Sequence, residues 1–197
     1  MVDRADILPR AFYARPAQIV AKESIGKYLV LDDVVLRITE AEAYCGPKDT
    51  AAHARFGLTA RTKTLFGPVG CAYVYLCYGL HHMLNFVTTG DGSAVLIRSA
   101  EPIEGMGTVV RRRGNKRGAA LLGGPGKVAQ ALGLDLEDDG LCLDGSGRLS
   151  VLDGDGPRKI WAGPRVGIDY ASPKDVRARL RFAAPESDYL SAGIKRR

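Results

Sequence analysis

The sequence predicts a single α+β domain built around an antiparallel sheet, and three observations carry that prediction. Strand-like alternation runs on both sides of the acidic pair Asp32-Asp33. A tyrosine-rich apolar stretch folds back on itself about Gly79. The helical signals, near 16–25, 103–112 and 126–132, are short. With 197 residues, 46% apolar and 25% charged, the chain has the bulk for one core and little room for a second, so residues 1–197 are expected to form one domain.

Pro16 to Ile25 opens on a proline suited to a first helical turn and ends before Gly26, placed as a C-terminal cap. Residues 27–44 alternate around Asp32-Asp33, which predicts a hairpin with a long second strand. The polar stretch from Gly46 to Gly70 reads as loops that bear function, with a short helix near Thr50 to Arg55 and a turn at Gly67-Pro68. Residues 72–88 read as two strands folded about Gly79, and 94–101 as a third after the turn Gly90-Asp91-Gly92, giving an antiparallel meander. Beyond Pro102 the reading is a mixed helical piece near 103–112, a basic loop RRRGNKRG at 111–118 and a helix from about Gly126 to Leu132. Short strands near 148–152, 164–170 and 178–183 complete the domain.

A formal charge of +6 favours a polyanionic partner, although a basic surface that is merely solvated accounts for it equally well. Cys45, Cys71, Cys77 and Cys142 form no C-x-x-C pair and have no histidine placed to complete a zinc site, so neither a structural metal nor an iron-sulfur cluster is expected. Met1 to Arg10 carries two aspartates and two arginines and does not resemble a signal peptide, and no apolar run reaches membrane-spanning length. A soluble cytoplasmic protein with free thiols and no membrane partner is expected.

Side chains alternate faces along a strand, so Ile38, Glu40, Glu42 and Tyr44 are expected on one face and Arg37, Thr39, Ala41 and Ala43 on the other. Read plainly, this is a solvent face studded with glutamates. The continuation C-G-P-x-D-x-A-A-H-A-R from Cys45 to Arg55 changes that weight, because it brings a turn, Asp49 and His53 soon after the acids. Ala72 to Gly79 packs three tyrosines, with Tyr73 and Tyr75 facing one way and Tyr78 the other. They are either half-buried packing residues, or Tyr75 stacks on a base while Tyr78 wedges into a duplex.

The motifs T-E-A-E-A-Y-x-G-P-x-D-x-A-A-H, Y-V-Y-x-x-Y-G, M-L-N at 83–85, G-D-G at 90–92, V-L-I-R-S-A-E-P at 95–102 and G-P-G-K-V-A-Q-A-L at 124–132 occur in order. Together, from about Leu8 to Phe182, they closely resemble the alkyladenine (3-methyladenine) DNA glycosylase family. The resemblance implies a monomeric, cofactor-free enzyme with a curved antiparallel sheet and a protruding hairpin that enters the minor groove of damaged double-stranded DNA. It implies excision of alkylated or deaminated purines by hydrolysis of the N-glycosidic bond, leaving an abasic site. Glu42 resembles the family's general base, Tyr44, His53 and Tyr75 the walls around a flipped base, and Tyr78 the intercalating residue. Asn85 looks like the residue that clashes with the exocyclic amine of guanine, and Arg98 like a phosphate contact.

That chemistry is physically coherent. A purine alkylated on a ring nitrogen is cationic and a good leaving group, so the reaction needs an activated water and a pocket that favours an electron-poor ring. Stacked tyrosines attract a cation by roughly 0.5–2 kcal/mol. Glu40, two residues back, competes for the base role, and His53 also reads as a buried structural histidine. Arg61, Lys63, Lys127 and the 111–117 cluster are candidate phosphate contacts, the cluster reading equally as a solvated loop.

The sequence departs from the family pattern at His81, where some members carry an aromatic residue, followed here by His82, and it lacks the N-terminal extensions of longer members. Three rivals stay open. One is a non-enzymatic binder of bent DNA, and another a metal-dependent nuclease built on Glu40, Glu42 and Asp49. The third is a glycosylase with lyase activity through Lys63 or Lys127.

Overall fold

Asp32, in the left-handed region at φ 54°, turns the predicted hairpin. It joins β1 (Tyr28–Leu31) to β2 (Val34–Cys45), which pair antiparallel from Leu31↔Val34 to Tyr28↔Arg37. The computed structural model describes residues 6–191 and residue 194. Residues 1–5, half of the stretch read for a signal peptide, lie outside them, as do the last residues of the span expected to form one domain. Among the described residues no helix is long and apolar enough to cross a membrane.

The meander follows as expected: β3 (Ala72–Cys77), β4 (His81–Val87) and β5 (Ser93–Glu104). Its first turn spans residues 78–80, is closed by Leu80 N–H to Cys77 O at 3.0 Å, and has positive φ at both Tyr78 (50°) and Gly79 (70°), the backbone twist that suits a hairpin. With β6 (Leu149–Leu152), β7 (Trp161–Gly163) and β8 (Arg181–Ala183) the eight strands of the described residues form one antiparallel sheet in the order β3-β4-β5-β2-β1-β6. The seventh pairs with β8, and β8 lies against the second half of β2 through Glu40↔Ala183 to Glu42↔Arg181. Strand β2 is therefore central, flanked by β5 on one side and by β1 and then β8 on the other.

Among the described residues six short helices surround the sheet: α1 (Arg10–Tyr13), α2 (Ala17–Glu23), α3 (Met106–Arg112), α4 (Ala119–Leu122), α5 (Pro125–Leu132) and α6 (Pro173–Arg177). The sheet's two faces differ in chemistry. Ala72 and Val74, Leu84 and Phe86, Val95 and Ile97, and Ala41 and Ala43 point into the main core, where Val20 of α2 and Val128 and Leu132 of α5 cover them. Each fully buried valine, leucine, isoleucine or phenylalanine there stabilises the fold by about 1.5–3 kcal/mol. The alternate residues, Tyr73 and Tyr75, Asn85, Leu96 and Arg98, and Glu40, Glu42 and Tyr44, occupy the opposite face, and the chemistry gathers there.

Several expectations need correction. Ile38 does not share the face of Glu40, Glu42 and Tyr44; it packs in the main core with Ala41 and Ala43. The β2–β5 register shifts on both sides of Glu40, so a bulge at 39–40 reverses the alternation and the pattern read from the sequence holds only from Glu40 onward. The strand expected at 164–170 is a run of turns, because Pro164 cannot donate to a ladder and Gly167 has φ 74°; the strand sits earlier, at Trp161–Gly163. The helix expected near Thr50 to Arg55 is a 3₁₀ turn at His53–Phe56, and a second one at Lys63–Phe66 was not foreseen. The basic stretch is part of α3 through Arg112, and α4 follows it unforeseen.

Candidate active site

The polar face of the sheet, the 46–66 loop and the 164–170 turns enclose a cavity of about 500 Å³, within the range of small-molecule sites. Tyr44, His53, Tyr75, Asn85 and Arg98 line it, and so do Tyr73, Val166, Ile168 and Tyr170 from outside the expected set. The loop is held close at Gly92, where a Cβ would lie 2.4 Å from that of Ala54.

Aromatic rings form one wall. Tyr73 and Tyr75 stack at 5.2 Å with planes 29° apart, as two residues on one side of a strand can. His53 meets Tyr75 edge-on at 4.6 Å and its Nδ1 lies 3.1 Å from Tyr73 Oη. Burial, with help from Arg61 and Arg55, lowers the His53 pKa to about 4, so the imidazole is neutral near pH 7. Burial pushes the Tyr73 hydroxyl up to about 12. Asn85 is buried, and its amide donates to Tyr73 O at 3.0 Å, which fixes the side chain's orientation.

Behind the wall lies a pair of carboxylates with no exposed surface, Glu40 and Glu42. Glu42 Oε1 accepts from Val166 N–H at 2.8 Å, and Oε2 accepts from Tyr44 Oη at 3.0 Å and Arg98 Nη1 at 3.3 Å. All three donors belong to residues of the cavity wall, so Glu42 lies one layer behind it. Burial raises its pKa above the ordinary glutamate range, opposed by Arg98, by the Val166 N–H and by the Tyr44 hydroxyl. Glu40 is more heavily engaged: Oε1 accepts from Arg98 Nε (3.1 Å), Arg181 Nη1 (3.3 Å) and Ser191 Oγ (2.6 Å), and Oε2 from Ser99 Oγ (3.2 Å) and Ser191 N–H (2.7 Å). Two buried carboxylates desolvated together each cost several kcal/mol, and the arginines offset that cost.

A second ion pair braces the wall from behind. Arg165 holds Asp49 through two bonds of 2.5 and 2.9 Å, donates to Ala43 O at 3.0 Å, and places its guanidinium 4.7 Å from the Tyr44 ring centroid. Asp49 also accepts the Cys45 and Ala51 N–H groups, which pins the entry of the 46–66 loop. Each candidate nuclease carboxylate, Glu40, Glu42 and Asp49, is thus already matched with an arginine. Among the described residues no group of three or more His, Cys, Asp or Glu is placed to hold a metal ion.

The remaining expected residues lie at the edge of the cavity or outside it. Tyr78 stands at the hairpin tip, on the edge of the cavity and 91% exposed, beside Leu80, which is 76% exposed; in its turn it belongs to neither face of the strand. Arg61 lies on the rim, donating to Leu76 O at 3.2 Å with its guanidinium 5.3 Å from the Tyr75 ring centroid. Lys127 lies outside the wall in the first turn of α5, its ammonium donating to Gly123 O. Arg98, expected at a phosphate, is 7% exposed and spends its nitrogens on Glu40, Glu42 and Ser191; this arrangement places it with the acids. His81 packs against Gly126 of α5, where a Cβ would sit 2.8 Å from its own.

Sequence reading missed Tyr73, Arg165, Val166 and Ser191. Tyr73 had a signal, since it shares a strand face with Tyr75. The other three come from turns and from the C-terminal segment, where no periodicity marks a direction.

Residues 11–188 match the methylpurine-DNA glycosylase (MPG) family. The chain is 52% identical over 190 residues to a protein of Arabidopsis thaliana named DNA-3-methyladenine glycosylase, covering 94% of this chain and 74% of that one. It is 50% identical over 188 residues to a protein of Nitrosococcus oceani named provisionally for 3-methyladenine DNA glycosylase activity, covering 94% of each. A Methanocella arvoryzae protein with the same provisional name is 45% identical over 192 residues, 94% of this chain and 96% of its own.

Proposed function

This chain belongs to the methylpurine-DNA glycosylase family, and on that premise we propose that Glu42 activates the water that releases a damaged purine. The protein is a monofunctional DNA-3-methyladenine glycosylase, a hydrolase of DNA repair that acts on DNA. The observation that carries the assignment of the base is the unequal engagement of the two acids. A carboxylate offers about four acceptor positions. Among the described residues Glu40 receives five hydrogen bonds and has none to spare. Glu42 receives three, which leaves a position on Oε1 for a proton of the attacking water.

The reaction then runs as a displacement at the sugar carbon. Water bound to Glu42 loses a proton to the carboxylate as its oxygen bonds to C1′, and the electrons of the glycosidic bond leave with the base. A base alkylated on a ring nitrogen departs as a neutral purine. Arg98 opposes the desolvation that favours the neutral form of Glu42.

The cavity is proposed to receive the base flipped out of double-stranded DNA, between Tyr44 and the Tyr75–His53 pair, while Tyr78 fills the gap in the stack. Its exposure at the tip of a hairpin suits that use. Asn85, held by Tyr73 O, is proposed to exclude the exocyclic amine of guanine. Arg61, on the rim, and Lys127, in the first turn of α5, are proposed phosphate contacts. The substrate range is proposed to span 3-methyladenine, 7-methylguanine, hypoxanthine and ethenoadenine, and the protein to act as a monomer.

The test is release of free base from duplex oligonucleotides holding one such lesion, in excess EDTA, with alkali added afterwards. Base release followed by strand cleavage only after alkali is the expected result. EDTA-sensitive strand scission, or no release from any lesion despite salt-sensitive binding, would overturn it.

A further inference from the structure

Ser191 lies three residues past the segment matched to the family, yet it reaches the buried acids. Its N–H donates to Glu40 Oε2 at 2.7 Å and its hydroxyl donates to Glu40 Oε1 at 2.6 Å. The same hydroxyl accepts from Arg98 Nη2 at 3.4 Å. Backbone and side-chain donors of one residue thus both reach the Glu40 carboxylate, from 151 positions away.

The segment before Ser191 is fastened to the strands that carry the acids. Thr39 Oγ1 donates to Tyr189 O at 2.6 Å, and Ser187 Oγ donates to Glu101 Oε2 at 3.1 Å. Leu190 O lies so close to Gly123 that a Cβ there would stand 2.6 Å from it. Ser191 is thus delivered to Glu40 by contacts with β2, β5 and the turn after α4.

We propose that Ser191 and Glu40 are positioning residues for the glycosylase reaction: Ser191 fixes the Glu40 carboxylate, Glu40 fixes the Arg98 guanidinium, and Arg98 so fixed holds Glu42. The proposal rests on Glu42 being the base. Geometry supports the chain of contacts, since Arg98 spends Nε on Glu40, Nη1 on Glu42 and Nη2 on Ser191. A guanidinium is planar and rigid, so anchoring two of its nitrogens sets the third.

The two positions act on Glu42 in opposite directions. Removing the Ser191 hydroxyl leaves Glu40 less well solvated, so Glu40 draws Arg98 toward itself and away from Glu42, and the Glu42 carboxylate becomes easier to protonate. Replacing Glu40 by glutamine removes a neighbouring like charge and leaves Arg98 to Glu42 alone, so Glu42 becomes harder to protonate. The base works only when ionised, so the acid limb of the rate profile moves up in the first case and down in the second.

The experiment measures single-turnover release of 7-methylguanine from a duplex oligonucleotide by the full chain between pH 5 and 9, with binding to a duplex holding an abasic site measured in parallel. Ser191→Ala is expected to slow release about tenfold and raise the acid limb, Ser191→Thr to restore both, and Glu40→Gln to lower the limb by about one unit, with abasic-site binding unchanged in all three. If Glu40→Gln does not fold, the Ser191→Ala and Ser191→Thr pair carries the test alone. Wild-type rate and limb in Ser191→Ala and Glu40→Gln, with Glu42→Gln inactive, would overturn the positioning role and leave Glu42 as the base. Turnover retained by Glu42→Gln would overturn the base assignment and the positioning role with it.

Discussion

Tyr44 Oη donates a 3.0 Å hydrogen bond to Oε2 of Glu42, its neighbour two residues away on the same face of β2. One side chain therefore serves both as a wall of the cavity and as a donor to the acid behind that wall. Under the proposed function the pairing links base binding to the charge state of the carboxylate, and it is open to test.

Tyr44→Phe keeps the ring and deletes the donor. The bond favours the ionised form of Glu42, so its loss raises the pKa of a group already raised by burial. A base is lost as pH falls through that value, so the acid limb of single-turnover base release is expected to move to higher pH by up to about one unit. A limb left in place would reduce Tyr44 to a stacking surface.

Glu42→Gln preserves size and removes the proposed base. Release is expected to slow by about 10²–10⁴-fold, while binding to lesion-bearing duplex, followed by fluorescence anisotropy, is retained. Near-normal turnover in this variant would sink the catalytic assignment.

His53 has a folded-state pKa of about 4, depressed chiefly by burial, against about 6.5 in the unfolded chain. Between those values the unfolded state binds the proton and the folded state does not, so the contribution to stability falls as pH drops from about 6.5 toward 4. Urea midpoints at pH 7 and pH 5 are expected to differ less in His53→Gln than in the parent. Equal differences in the two proteins would place the His53 titration elsewhere.

Tyr78 is almost wholly exposed, so Tyr78→Ser is expected to change stability by less than about 0.5 kcal/mol. It should weaken binding to damaged duplex more than it slows release from the bound complex. Titrating DNA under single-turnover conditions separates the two, and a loss confined to the maximal rate would remove the wedge role.

Asp49→Ala strips both carboxylate bonds from Arg165, a side chain with no exposed surface. A buried charge left without its partner costs about 3–5 kcal/mol, which urea denaturation would register as a lower midpoint with an unchanged slope. The Tyr44 ring, backed by the same guanidinium, is expected to lose order, so base release should fall as well. An unchanged midpoint would mean that Arg165 finds another acceptor.

Much of the fold was legible because local chemistry specifies it. The acidic pair at 32–33 and the Tyr78-Gly79 turn each end a run of alternating residues, and both hairpins formed where those breaks stand. The bulge at 39–40 was not legible, because an extra residue in a strand leaves alternation intact on either side and shows only against the partner strand. The failure at 164–170 is similar: valine and isoleucine suit a strand, but Pro164 and Gly167 override them once the segment has to wrap the cavity.

By itself the sequence determined the antiparallel sheet, the two hairpins, the acids two residues apart, and the family resemblance that the matched segment bears out. Strand periodicity and motif spacing are local and survive in one dimension. Only the tertiary structure decided which acid keeps a free acceptor position and that Arg98 belongs to the acids. It also decided that Arg165, Val166 and Ser191 complete the site. Their bonds to β2 join residues more than 100 positions apart, and the low dielectric that gives those charges their weight exists only once the strands and turns have closed over them.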